Sequence, residues 1–314
     1  MGRRDTMTYG HLPVLRDRLV EWVAIGPGEI VVDATVGLGG HAEAILQRLP
    51  DARLIGLDVD PQALALARER LARFGSRVEL VRGSYARLDE HLEALGIEAV
   101  SAVVLDLGVS SLQVDHAERG FSYRVEGPLD MRMDPESGPS AAEFLAAADE
   151  KEIARVLREY GEEPQARRIA RAITECRRKA PLRTTTDLSD VVQRTVSGRK
   201  PVSTLARVFQ GVRVAVNREL ENLREGLRRA LGVLAPGSVF AVLSYHSLED
   251  RAVKQFFRRQ VEGCVCPPDL PQCGCGFVRG HRLLTRRAER PTPEEVAENP
   301  RARSARLRVL QRAA

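Results

Sequence analysis

No run of 18 apolar residues occurs in the 314-residue chain, so a membrane-spanning helix is excluded. The opening residues, Met1 to Gly10, carry charge but lead into no apolar run and do not read as a secretory signal. Cysteine is scarce. Four of the five lie between Cys264 and Cys275, which is not a disulfide framework spread through a secreted fold. A cytoplasmic setting is the simplest reading. Lysine is nearly missing, with four residues against 44 arginines, a choice that GC-rich coding explains. Internal repeats and low-complexity tracts are lacking too, so no repeat architecture is expected.

What is present is an ample supply of core. At 43% hydrophobic and with a length beyond the typical single domain, the chain is expected to form one large domain and a smaller one. Its net charge of +5 hides a segregation. Residues 1–163 carry a net −11, residues 164–229 +10, residues 230–250 −2 and residues 251–314 +8. Codon usage does not explain that division. An acidic half beside a basic half suggests a polyanionic partner met by the basic part, a nucleic acid in the first place.

Short apolar runs alternate with helical patterns from residue 29 to 106. Strands are expected at 29–33, 53–58, 78–81 and 99–106, and helices at 42–49, 61–74 and 86–95, the second with proline at its first position. Nearly all-apolar strands alternating with helices imply an α/β fold with a parallel, Rossmann-like sheet covered on both faces. Residues 110–140 are turn-rich, and the pattern is helical from Ser140 to about Ser203. One long amphipathic helix is expected over 205–234, then a strand at 237–244, a helix at 247–260 and a last strand at 306–310. The economical topology is a ligand-binding α/β domain, 1–111 and 206–314, interrupted by a mostly helical insertion at 112–205.

The first strand ends in Asp33-Ala-Thr-Val-Gly37-Leu-Gly39-Gly40-His41 and runs into a helix. Glycines there let the backbone turn tightly and approach a ligand. Asp58 closes the second strand, where a carboxylate can accept both hydroxyls of a ribose. Gly83-Ser-Tyr85 follows the third, where an aromatic can lie against adenine, and Asp106 closes the fourth. Gly37-Leu-Gly39-Gly40-His41-Ala42 satisfies the dinucleotide pattern G-x-G-x-x-A. In that pattern, however, the first glycine follows the strand directly and the helix start holds a pyrophosphate. Here an acidic residue closes the strand four positions earlier. Asp33 suits a ligand with an ammonium and a sulfonium and no phosphate, so S-adenosylmethionine is favoured over a nicotinamide dinucleotide.

The reacting end falls at Asp106-Leu-Gly-Val-Ser-Ser-Leu-Gln113, beyond the fourth strand, where ligands of doubly wound sheets bind. An exocyclic base amine is a weak nucleophile that must be held in line and must donate its N–H to an acceptor. Asp106 and the Leu107 carbonyl are candidates, and a loop-capping role for Asp106 stays open. Methylation at a pyrimidine ring carbon would call for a cysteine nucleophile, and no cysteine stands at a strand end. In Ser244-Tyr245-His246-Ser247-Leu-Glu249-Asp250, Ser247 and Asp250 read as a capping box, while Tyr245 and His246 could meet a flipped base. Phe121 and Tyr123 are further candidates. For each aromatic alone, core packing is the simpler reading.

Cys264, Cys266, Cys273 and Cys275 form two C-x-C pairs among prolines and glycines. They could fold about a structural zinc, with a reduced metal-free loop as the alternative.

Eight segments, in order along nearly the whole chain, resemble the bacterial small-subunit ribosomal RNA cytidine-N4 methyltransferases, the RsmH (MraW) family. They are His11–Leu15, Asp33–His41, Leu105–Ser111, Ala117–Ser122, Gly127–Asp134, Arg213–Leu220, Ser244–Arg251 and Glu298–Ser304. The resemblance implies a class I methyltransferase with a helical substrate-recognition insertion, using S-adenosylmethionine to N4-methylate a cytidine in the decoding region of 16S rRNA. It implies an assembled or nearly assembled small ribosomal subunit as partner, no membrane, and leaves a homodimer open. It puts cofactor contacts on Gly39, Gly40, His41, Asp58, Tyr85, Asp106 and Gln113, and some relatives lack the cysteine cluster. Asp106, Tyr245 and His246 are the residues expected at the reacting end. Other expectations stay open: a methyltransferase for DNA or protein, and a non-catalytic RNA-binding assembly factor.

Overall fold

A computed structural model describes residues 13–24, 29–196, 201–262 and 280–314. The four clustered cysteines, Cys264, Cys266, Cys273 and Cys275, and the zinc expected on them lie outside the described residues. Backbone packing divides the chain into two compact units. The first takes in the described residues of Met1–Asp58, Leu64–Gly108 and Gly226–Ala314; the second comprises those of Val59–Ala63 and Val109–Glu225.

In chain order the first stretch runs α1 (Arg16–Val23), β1 (Ile30–Asp33), α2 (Gly40–Arg48), β2 (Arg53–Asp58), α3 (Pro61–Leu71), β3 (Val78–Arg82), α4 (Leu88–Ala94) and β4 (Val100–Asp106). Helices then succeed one another: α5 (Ser111–Asp115), α6 (Ala141–Ala147), α7 (Glu150–Glu159), α8 (Ala166–Arg177), α9 (Thr185–Thr195), α10 (Pro201–Val216) and α11 (Glu219–Gly232). The chain finishes with β5 (Leu234–Ser244), α12 (Ser247–Val261), β6 (His281–Leu283), α13 (Pro293–Glu298) and β7 (Arg306–Arg312).

Among the described residues the strands make one seven-stranded sheet in the order β3-β2-β1-β4-β5-β7-β6. β1 to β5 run parallel, while β7 is antiparallel to both β5 and β6. The strands are apolar on both faces because helices cover both. Val31, Val32, Leu54, Ile55, Val103, Val104 and Val239 to Leu243 are all buried. Strand order reverses between β1 and β4, which opens a crevice beyond their carboxyl ends, the usual ligand site of such sheets. The described sheet also contains β6, whose three residues, His-Arg-Leu, are too few to give a strand signal.

The helical unit has its own core, built from Leu129, Met131, Ile153, Leu157, Ile169, Ile173, Leu188, Val192, Val208 and Val212. Its helices start where the sequence supplies caps: Ser140 with Glu143 and Thr184 with Asp187 each form a reciprocal box. The single helix expected over 205–234 is corrected to two. Arg218 adopts φ +49° and breaks the run between Val216 and Glu219. Asn217, at the break, donates to the Met131 carbonyl at 2.7 Å and accepts from the Met133 amide at 2.7 Å. The interruption therefore fixes the loop that carries Met131, itself at φ +61°. A buried ion pair braces the same loop. Arg119 donates to Asp60 at 2.5 Å and, through its second amino group, to the carbonyls of Arg132 and Met133 at 3.0 Å.

Candidate active site

At the carboxyl end of β1 the chain turns through Ala34–Gly39 into α2. Gly37 and Gly39 both take positive φ, +50° and +78°, conformations costly to a residue with a side chain. The turn is tied to its neighbours on both sides. The Gly37 amide donates to Asp58 Oδ2 at 2.8 Å, across to β2. The Asp106 amide donates to Thr35 Oγ1 at 2.6 Å, across to β4. A Cβ on Gly40 would stand 2.5 Å from the Pro13 ring, so this first helical position is closed to larger residues.

Three carboxylates thus stand at the ends of β1, β2 and β4. Asp33 is 1% exposed, and burial pushes its pKa up to about 7, helped by the nearby charges of Asp106 and Asp58 and opposed by His41. A buried carboxylate in this condition is short of a cation. His41, in the first turn of α2, is buried beside it. Its Nε2 stands 3.4 Å from Asp106 Oδ2, yet neither ring nitrogen makes a hydrogen bond among the described residues.

Asp106 turns its other oxygen to β5. Tyr245, just past the end of that strand, donates its hydroxyl to Asp106 Oδ1 at 2.8 Å. Burial first, then the Asp106 carboxylate, raises the phenol's pKa well above its ordinary range, so the hydroxyl keeps its proton. Gly108 at φ +97° passes close to the same ring, its Cβ position 3.4 Å from Tyr245 Cδ2.

His246 does not join Asp106. It is the N-cap of α12: its Nδ1 faces the Glu249 amide at 3.5 Å, while Glu249 Oε2 accepts from the His246 and Tyr245 amides at 3.2 and 2.8 Å. This corrects the expected cap. Asp250, read as partner of Ser247, is instead held by Arg306 at 2.6 Å and Arg308 at 2.7 Å from β7. Burial pushes its carboxyl up, but the two guanidinium groups outweigh that and hold its pKa below the usual range.

Of the remaining expected residues, Tyr85 sits in a short turn after β3, its ring against Gly226, where a Cβ would come 2.3 Å from Cδ2. Gln113 lies buried in the helical unit, boxed with the Ser110 cap and donating to Asp60 Oδ2 at 3.3 Å. Phe121 lies near Arg119, the guanidinium carbon 6.0 Å from its ring, and Tyr123 packs edge-on against Phe209 in the helical core. Thr35, Glu249 and the Asp60–Arg119 pair were not singled out from sequence. Of these only Thr35 had a local signal, a hydroxyl two residues past a strand end in a glycine-bearing turn.

A parallel sheet in this order with an antiparallel β7, a glycine turn after β1 and acidic residues at successive strand ends defines a class I methyltransferase. The match to the MraW methylase family spans residues 8–313, and the chain belongs to that family. It is 49% identical over 308 residues to the ribosomal RNA small subunit methyltransferase H of Syntrophotalea carbinolica, covering 97% of this chain and 98% of that protein. The proteins of the same name from Heliobacterium mobile (46% over 314 residues; 98% and 100% covered) and Symbiobacterium thermophilum (47% over 308 residues; 97% of each) are similar to it in the same way.

Proposed function

We propose that this protein methylates the RNA of the small ribosomal subunit, taking the methyl group from S-adenosylmethionine and placing it on N4 of a cytidine in the decoding region. What supports the RNA assignment is the near-full-length likeness to proteins named as small-subunit ribosomal RNA methyltransferases. The observation that carries the amine chemistry is Asp106, one oxygen held by Tyr245 and the other, among the described residues, directed at no donor but His41.

The donor set suits the cofactor. S-adenosylmethionine supplies, when bound, an activated methyl group on a cationic sulfonium beside an ammonium. Asp33, buried and short of a cation, would hold the ammonium end, with Gly37, Gly39 and Gly40 admitting it closely. Asp58 would take the ribose hydroxyls and Tyr85 would stack on the adenine.

Asp106 and Tyr245 do the work at the acceptor. An exocyclic amine shares its lone pair with the ring, so it must be oriented rather than deprotonated in advance. Tyr245 fixes the carboxylate plane through Oδ1, and Oδ2 accepts the amine N–H, aiming the nitrogen along the transfer line. Positioning of this kind contributes several kcal/mol, about 7–11 in the best intramolecular cases. His246 acts at one remove by capping α12 and setting the backbone at Tyr245. The helical unit would carry the RNA, with Arg167, Arg168 and Arg171 exposed on α8 and Arg178 exposed just past its end. A cytoplasmic location goes with this substrate.

The test uses tritiated S-adenosylmethionine and small subunits from cells lacking the gene, followed by nucleoside analysis. Label in N4-methylated cytidine is expected. Cofactor binding without transfer to subunits or free rRNA would overturn the assignment and leave an assembly role.

A further inference from the structure

His41 is the least satisfied buried group of the site. It is 5% exposed, and among the described residues neither Nδ1 nor Nε2 is hydrogen-bonded. Folded proteins pair almost all such atoms, and the exceptions call for an explanation. Packing alone does not require an imidazole here, since an apolar side chain of similar volume would avoid two unpaired nitrogens. Holding a cofactor does not require Nε2 to lie 3.4 Å from the carboxylate oxygen opposite the one that Tyr245 occupies.

Resting on the amine-methylation reading above, we propose that His41 is the proton acceptor behind Asp106, a positioning residue that clears the proton the amine gives up. In the transfer, the C–S bond breaks with its electron pair left on sulfur, and the amine lone pair forms the C–N bond. The nitrogen takes up the positive charge. Its N–H proton then passes to Asp106 Oδ2 and on to His41 Nε2, leaving a neutral methylated amine and an imidazolium.

The charge count explains the acidic surroundings. One positive charge enters the crevice and one remains after the step, moved onto His41. There it stands 3.4 Å from Asp106, on β4, and within electrostatic reach of Asp33, on β1, on which the charge of Asp58, on β2, also acts. Tyr245 cannot take this part, since its hydroxyl keeps its proton and donates to Asp106. Asp106 alone is a poor terminal acceptor, because a protonated Oδ2 could no longer accept from the next amine. Passing the proton one residue further resets it.

The experiment compares the full-length protein with His41→Gln and His41→Ala. For His41→Gln, kcat on small subunits is expected to fall about 100-fold, the lower end of the range for a positioned proton acceptor. KM for subunits should stay within about twofold, and affinity for S-adenosylhomocysteine, which His41 is also expected to contact, should fall far less than kcat. His41→Ala should regain about tenfold of its rate when free imidazole is added. A His41→Gln protein that melts like the wild type and keeps its kcat would overturn the proposal. So would loss of S-adenosylhomocysteine binding that matches the loss of rate, or an alanine variant indifferent to imidazole. Wild-type protein that forms no N4-methylcytidine would instead refute the underlying reading, which separates the two failures.

Discussion

Replacing Tyr245 with phenylalanine keeps the ring and removes one oxygen, so it isolates the hydrogen bond to Asp106. At 2.8 Å from hydroxyl to carboxylate, this is a charge-assisted bond, worth about 1.5–3 kcal/mol where water cannot replace it. Asp106 keeps 26% of its side chain exposed, so water recovers part of that. A loss of about 1–2 kcal/mol is left, which at 1.36 kcal/mol per decade predicts a kcat about 5–30-fold lower. Because the bond orients the acceptor rather than holding the subunit, KM should hardly move. Asp106→Asn, which keeps the shape but removes the charge and the proton acceptor, should be far worse than Tyr245→Phe. Single-turnover transfer of labelled methyl at saturating cofactor measures both. A Tyr245→Phe protein with unchanged kcat, or one whose whole defect lies in KM, would refute the role given to this pair. So would a basic limb in the wild-type pH–rate profile below the ordinary tyrosine range that the phenylalanine variant lacks, since burial and Asp106 hold the phenol protonated there.

Asp33→Asn should stabilise the ligand-free protein. The folded pKa of about 7 lies above the unfolded 3.8, so the native state holds the extra proton between them, and stability falls as pH rises through that window. The ceiling is about 4 kcal/mol; the variant should melt several degrees above wild type at pH 8, narrowing toward pH 4, while losing affinity for S-adenosylmethionine. Arg119→Met removes the guanidinium partner of the buried Asp60 and leaves it neutral donors such as Gln113, which should cost about 3–5 kcal/mol by denaturant titration; a loss below about 1 kcal/mol would show that the pair is dispensable. Arg167→Glu with Arg178→Glu, both exposed at α8, should weaken binding to small subunits and flatten the log-affinity against log-salt slope by about two, without changing cofactor affinity.

Much of the sheet was legible because buried parallel strands are apolar on both faces and end abruptly in charge, as at Asp33, Asp58 and Asp106. The acidic strand ends therefore read directly as a site. What could not be read were the bonds that need neighbours. Tyr245 meets Asp106 only because β5 lies beside β4 in the sheet. The α12 cap shows the same limit. His246 with Glu249 and Ser247 with Asp250 have the same local spacing, and the choice is made by Arg306 and Arg308, more than fifty residues away, which claim Asp250. The helix break at Asn217–Arg218 carries neither glycine nor proline, so periodicity ran straight through it. The β6 strand, three residues with a charged centre, is too short for a pattern.

The place of β7 has a consequence for biogenesis. β5, which delivers Tyr245 to the site, is flanked by β4 on one side and on the other by β7, a strand translated long afterwards. A nascent chain that has completed β5 therefore presents a bare apolar edge, with Asp250 still lacking its two arginines. Such an edge is the kind that pairs with other chains and invites aggregation. Chaperone occupancy during synthesis should be highest in the interval between these two strands.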